Sequence, residues 1–532
     1  MATTNDVQYY LLYFLICYLS TLLLRSLFNK YSPKSATQVR PPPSPPALPL
    51  IGHLHHLTTA HQAISFQNLS TKYGPLLHLR LGASRMLLVS SASVATDVFK
   101  TQDLSFADRP AFAFADELPY GNSGFFGAVY GDYWKFMKKL CMTELFAPRQ
   151  LERSRNTRQV EIGKLCEKLI ESARKEEVVD LGSELMKLTN NSTCKMVMST
   201  SCSENGDEAA RIRKMMMRTI RLATKVSYGD VLGPLKRLGF WLYGKQLADV
   251  SWEFDELFEK MLKEHEKKGE REGWEREDLD LIDLLLKVYQ DDKAELKLTR
   301  TQIKAFLLDL FIAGTLSSTE TMQWTMAELI NHPQVFNKIR QEIKSVVGNA
   351  RLVEETDIPN LPYLQAVVKE ALRMYPPSPV VIRKCRRDCK IKGFDIPQGV
   401  TVANNVYAIM RDPEIWDSPD EFRPERFLAS SSEVHDSVEY DDQSHQHQEQ
   451  NFNYVPFGGG RRRCPGSAVA LLLVNTAVAT MVQCFDWKVG GNENGDVANK
   501  VNMEIGPGIS LPMAHTLELL PIIHFNPFAS SM

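Results

Sequence analysis

Apolar positions recur at helical spacing through most of this chain, so helices carry the bulk of the predicted structure. Alternation at period two is confined to short stretches. Leu76 to Val89 (LLHLRLGASRMLLV) predicts a hairpin, and Thr401 to Ala408 predicts one further strand. The longest periodic segment runs from Thr299 to Ile330 and predicts a helix. Its apolar half (FLLDLFIAG) breaks into Ala313-Gly314-Thr315-Leu316-Ser317-Ser318-Thr319, a cluster of small and hydroxyl residues in a helix centre. Ala468 to Met481 (AVALLLVNTAVATM) is apolar enough to predict a buried helix.

The N-terminus carries a different pattern. Val7 to Leu24 (VQYYLLYFLICYLSTLLL) is long enough to cross a bilayer, with tyrosines near its start as interfacial anchors. Arg25, Lys30, Lys34 and Arg40 follow it and only Asp6 precedes it, so the positive-inside rule puts the remaining chain in the cytosol. A cleaved signal peptide is the other reading of such a stretch, but no small-residue cleavage site follows. Arg40-Pro41-Pro42-Pro43-Ser44-Pro45-Pro46 predicts a stiff, extended spacer. The chain thus divides into an anchor (1–28), a basic and proline-rich hinge (29–52) and one large domain (53–532). A second apolar patch, Leu232 to Leu242, fits either the same membrane face or ordinary core packing. Residues 262–279 form a charged stretch expected to be exposed, and Ser430 to Gln450 a polar, biased insertion expected to be disordered, with His435, His445 and His447 solvated.

Composition narrows the function classes. The 532 residues, 44% hydrophobic, leave ample core for a large apolar cofactor, and a net charge of -2 offers no global basis for binding nucleic acid. Nine cysteines without paired spacing make a disulfide framework a poor fit. Cys385 and Cys389 suit a metal only if two further ligands join them. Asn190 and Asn191 open glycosylation sequons, which matter only in a secretory lumen.

The densest chemistry lies in Phe457-Gly458-Gly459-Gly460-Arg461-Arg462-Arg463-Cys464-Pro465-Gly466. A cysteine ligates as thiolate, and a helix N-terminus with neighbouring cations lowers its pKa. Pro465 suits the first position of the following helix, and the glycines let backbone N–H groups approach the sulfur. The competing reading is a glycine-rich turn around an inert core cysteine.

Phe457, Gly460, Arg462, Cys464 and Gly466 resemble the haem-binding signature of the cytochrome P-450 superfamily. Glu370 and Arg373 resemble its Glu-x-x-Arg helix, and Phe422 to Phe427 its plant-type Pro-Glu-Arg-Phe segment. The resemblance implies a mainly α fold with a small β component behind one N-terminal transmembrane helix, and a haem-thiolate catalytic domain. It further implies haem b with Cys464 as axial iron ligand, shaped by Phe457, Gly458 and Gly466. Trp134, Lys138, Arg383 and Arg462 would serve its propionates, and Glu370, Arg373 and Arg426 (or Arg423) would brace the loop. Electrons would come from NADPH through NADPH-cytochrome P-450 reductase, docked on a basic surface of Lys135, Lys139, Arg461 and Arg463. The location implied is the endoplasmic reticulum membrane, single-pass, facing the cytosol.

The chain departs from the family at Leu316, where an acid normally precedes the alcohol at Ser317. An aliphatic side chain cannot relay a proton. Thr315, Ser317 and Ser318 are the candidate catalytic hydroxyls, set against simple back-bonding to the helix. Water held by Ser317, Ser318 and Thr319, a weakly coupled enzyme, and chemistry without dioxygen are the competing accounts, beside a haem protein that binds a ligand without turnover. Phe125, Phe126, Ala313, Leu316, Val381 and Ile509 are the expected pocket. Its apolar character and the wording of the chain resemble the plant A-type group with pentacyclic triterpenoid oxidases, implying oxidation of a friedelin-like methyl to alcohol and acid. A flavonoid or strigolactone-type terpenoid is the alternative substrate.

Overall fold

The computed structural model describes residues 9, 12–21, 40–49, 51–57, 59, 61–111, 118–198, 206–227, 236–274, 279–428, 452–490 and 500–528. Helices dominate. The predicted hairpin forms as β1 (Leu76–Leu81) and β2 (Ser84–Val89), with Leu77 opposite Leu88. The later strands β3 (Val381–Lys384) and β4 (Thr401–Asn404) complete a sheet in the order β1-β2-β4-β3, with β2 and β4 parallel. Expected to run to Ala408, β4 stops earlier because the Asn405 side chain accepts the Ala408 N–H and caps a short helix from Val406.

Six helices position the interior: α1 (Asp132–Leu140), α2 (Leu181–Met198), α3 (Lys236–Glu272), α4 (Arg300–Asn331), α5 (Pro362–Met374) and α6 (Ser467–Cys484). At the start of α4 Thr299 and Gln302 cap each other reciprocally, satisfying N–H groups the first turn leaves orphaned, so the helix begins where its periodicity does. Its face carrying Gly314, Thr315 and Thr319 packs on α2. Thr319 Oγ1 lies 2.8 Å from Thr189 Oγ1, and a Cβ at Gly314 would stand 2.8 Å from Thr193 Oγ1. Both Asn190 and Asn191 fall inside α2. Asn190 is fully buried and Asn191 Nδ2 donates to Glu161, so the two sequons sit in packed helix.

Some expectations change. The charged stretch 262–279 continues α3 as far as Glu272, and His265 within it is buried. His265 donates to Met261 O and to Asp280 Oδ2, tying α3 to the following capping turn. That engagement of both ring nitrogens leaves His265 no lone pair for a metal beside Asp280 and Asp283. Cys385 and Cys389 approach with sulfurs 3.8 Å apart but gather no further ligands among the described residues.

The apolar helix Leu12–Thr21 lies within the expected span. Helix α6 also passes a length-and-hydropathy test for crossing a membrane, but it is largely buried in the core. Of the patch 232–242, Trp241 (77% exposed) and Leu242 (52%) face outward, not into the core. The polar insertion 430–450 with its three histidines lies outside the described residues.

Candidate haem-thiolate site

Helix α6 starts at Ser467 with Gly466 as N-cap, so Pro465 precedes the helix instead of opening it. This puts Cys464 on the turn just before the positive end of a buried helix. Cys464 N–H donates to Phe457 O at 3.0 Å, closing the loop upon itself. Gly458 (φ +70°) and Gly460 (φ +62°) adopt left-handed conformations there, and a Cβ at Gly460 would stand 2.6 Å from Phe99 O. Protein surrounds the Cys464 sulfur, yet the residue is solvent-accessible, so it faces an interior hollow. Burial pushes its thiol up, while the Gly466 N–H, Lys138 and Arg463 pull it down. The stabilising N–H thus belongs to Gly466 and not to the glycines 458–460.

Residues far apart in sequence converge on this hollow. Arg462 Nε donates to Ala107 O at 2.7 Å and its Nη2 to Ala128 O, and the guanidinium stacks 4.5 Å from the Trp134 ring on α1. Arg383 on β3 donates to Gly459 O at 3.3 Å, and Lys138 Nζ to Arg463 O at 3.2 Å. Nη1 of Arg462 and Nη1 of Arg383 are buried without a hydrogen-bond partner. Burial also depresses the Arg109, Arg383 and Arg462 pKa values, those of Arg109 and Arg462 to about 10, and Arg109 lowers both others. Asp309, Asp103 and Asp108 offset this only in part, and buried cations short of counter-charge are costly. Two orphaned donors and three crowded guanidiniums fit a group bearing two carboxylates, which is what a haem with its propionates presents.

Behind the loop, Glu370 and Arg373 on α5 are fully buried and paired, with Arg373 Nε to Glu370 Oε2 at 2.7 Å. Arg426 completes the cluster, its Nε reaching Glu370 Oε1 at 2.9 Å. Arg423 contributes only its backbone N–H to Glu370 and turns its side chain to Asp417.

In the centre of α4, Ala313 is exposed and Leu316 and Ser317 are half-buried, as are Ile312 and Gly314. Thr315 and Ser318 are buried. Residues 313, 316, 317 and 320 share one helix face, and 315 and 319 the face against α2. Thr315 and Ser318 are thus buried away from the face that carries Ser317, and the Thr315 hydroxyl has no hydrogen-bond partner among the described residues. Ser317 back-bonds to Ala313 O at 2.8 Å, keeping its lone pairs for a donor. Sequence reading passed over Glu320 and Asp309, both on the Ala313 side of α4. Their signal was a carboxylate one turn from Leu316 and another within FLLDLFIAG.

The expected pocket residues part ways too. Phe125 stacks on Trp134 at 5.6 Å and edges Phe306 at 6.0 Å. Phe126 is half-exposed beneath the Arg109 guanidinium at 3.8 Å, and Val381 lies half-buried on β3. Ile509 is 62% exposed on the turn 505–513, so it does not line a buried wall. A cavity of about 1000 Å³ bordered by Asp108, Arg109, Tyr133, Lys384 and Gln398 has neither Cys464 nor Ala313 in its wall. The basic face is muted: Lys135 pairs with Asp132, Lys139 with Glu295 and Arg461 with Asp103.

A cysteine at the head of a buried helix and a charged cradle for two carboxylates fit a haem-thiolate protein. The chain belongs to the cytochrome P450 family, whose model matches residues 42–510. It is 46% identical to cytochrome P450 705A5 of Arabidopsis thaliana over 520 residues, 98% of each chain. It is 39% identical to beta-amyrin 24-hydroxylase of Glycine max (99% of this chain, 100% of that one). Identity is also 39% with 3,9-dihydroxypterocarpan 6A-monooxygenase of Glycine max (97% and 98%). A zebra fish cytochrome P450 solved with progesterone superposes with a TM-score of 0.71 at 26% identity, covering 86% of this chain and 99% of that one. The protein is accordingly a P450 monooxygenase that uses haem and receives electrons from NADPH through a reductase.

Proposed function

We propose that this monooxygenase oxidises a methyl C–H of a pentacyclic triterpenoid such as friedelin, to the alcohol and onward to the carboxylic acid. The observation that carries this reading is the full-length kinship with the beta-amyrin 24-hydroxylase. The apolar side chains of the expected pocket, Phe125, Ala313, Leu316 and Val381, suit it. A hydrocarbon skeleton leaves no polar group unsatisfied against such side chains. The kinship with the pterocarpan monooxygenase supports a second reading, a flavonoid-type substrate.

In this assignment Cys464 would ligate the haem iron, Arg383, Arg462, Trp134 and Lys138 would hold the propionates, and Phe457, Gly458 and Gly466 would shape the loop. Bound haem would supply dioxygen activation, supported by the electron density of the thiolate. Phe125, held against Trp134 and Phe306, and Leu316 present apolar surface that orients the skeleton and excludes water. Ser317 holds a proton-relaying water beside the Ala313 carbonyl. Residues 1–28 anchor the protein in the endoplasmic reticulum membrane, 29–52 form the hinge, and 53–532 face the cytosol. Trp241 and Leu242 add a second lipid contact.

The test is reductase-supported turnover in microsomes with friedelin, beta-amyrin and a flavanone competing. Oxygenated triterpenoid supports the assignment; product from the flavanone alone overturns it.

A further inference from the structure

Helix α4 lacks a carboxylate at 316 but carries one at 320, a single turn further on. Glu320 shares the face of Ala313, Leu316 and Ser317, three residues beyond the hydroxyl that the open wall presents. Its partners set it apart from other buried carboxylates nearby. Asp309 is held by the Phe126 N–H, Glu328 by the Tyr375 hydroxyl and His332, and Glu370 by two arginines. Among the described residues no cation pairs with Glu320. Its Oε1 accepts only the Ser510 hydroxyl, at 2.7 Å.

Burial without a counter-charge pushes the Glu320 carboxyl up to about 7. A general acid is most effective when its pKa lies near the working pH. Ser510 is half-buried on the turn 505–513, so it reaches both the carboxyl and the outside. It is held in place by His61, whose Nε2–H donates to Ser510 O while Nδ1 accepts the Ala63 N–H. Burial lowers the His61 pKa, which favours the neutral imidazole beside Ser510.

We propose that Glu320 is the proton donor of the distal relay, standing in for the acid absent at Leu316, and that Ser510 reloads it from solvent. Each turnover combines substrate C–H, O2, two protons and two NADPH-derived electrons into alcohol and water. For each proton the Glu320 O–H breaks and the proton passes to water on the Ser317 hydroxyl. Ser510 then gives its hydroxyl proton to the carboxylate and takes another from solvent. The inference rests on the monooxygenase class and not on the triterpenoid assignment.

Full-length holoenzyme with reductase in lipid bilayers provides two readouts. In infrared difference spectra wild type shows a protonated carboxyl C=O band that titrates near neutrality and is missing in Glu320→Gln. In NADPH-supported oxygen reduction, followed as peroxide against water, Glu320→Gln raises the peroxide share and slows proton-dependent turnover roughly tenfold or more. Glu320→Asp retains partial coupling, and Leu316→Asp combined with Glu320→Gln restores it. If Glu320→Gln fails to hold haem, Ser510→Ala decides: it leaves the carboxyl in place and must shift the pH profile of coupling. A carboxyl ionised throughout the neutral range, or wild-type coupling and pH profile in Glu320→Gln or Ser510→Ala, overturns the proposal.

Discussion

Asp309 Oδ2 accepts the backbone N–H of Phe126 at 2.9 Å across 183 residues of chain, tying the Phe126 loop to α4 one turn before Ala313. Asp309→Ala removes a hydrogen bond to a charged acceptor, about 1.5–3 kcal/mol. Ligand affinity, read from the Soret shift, should weaken roughly tenfold or more. Asp309→Asn keeps an acceptor and should bind nearly as wild type. Burial raises the Asp309 carboxyl from its ordinary 3.8 to about 6, so the folded state holds the proton more tightly than the unfolded chain. Stability therefore falls as pH rises between those values, and Tm against pH should be flatter there in Asp309→Asn.

Glu370→Ala leaves the buried Arg373 and the half-buried Arg426 with no shared carboxylate. Breaking such a pair costs about 3–5 kcal/mol. The expected outcome is little or no carbon-monoxide-binding protein in the reduced difference spectrum, with a lower Tm in whatever folds.

Arg462 and Arg383 each bring a buried, orphaned donor to the cofactor cradle. Arg462→Ala or Arg383→Ala should speed haem transfer to apomyoglobin roughly tenfold, the equivalent of about 1.4 kcal/mol. Arg462→Lys should rescue poorly. One ammonium cannot reproduce the fork that spans Ala107 O and Ala128 O while stacking on Trp134.

The buried His265–Asp280 pair predicts a second pH effect. Burial alone would lower the imidazole pKa, but the hydrogen bond and charge of Asp280 outweigh it and the net shift is upward. A raised folded-state value means stabilisation fully present below about 6.5 and lost as pH rises through the folded pKa. Asp280→Asn retains the N-cap acceptor for Asp283 N–H yet removes the charge. Wild type should lose Tm relative to Asp280→Asn on going from pH 6 to 8.

What could be read from the chain alone was local. The Thr299–Gln302 capping box, the hairpin around Gly82, the apolar helix after Cys464 and the spacing of Glu370 and Arg373 each depend on residues a few positions apart. Periodicity and caps act within a turn or a strand pair, so these elements were visible, as was the cysteine loop that marks the haem site. Tertiary structure alone decided which α4 hydroxyls meet α2 and which the hollow, that Arg426 and not Arg423 reaches Glu370, and that Ile509 is exposed. It also gave Glu320 its character, because a carboxyl's pKa depends on the water and charges around it. The partners that set it, Ser510 and through it His61, are brought to α4 only by the folded chain.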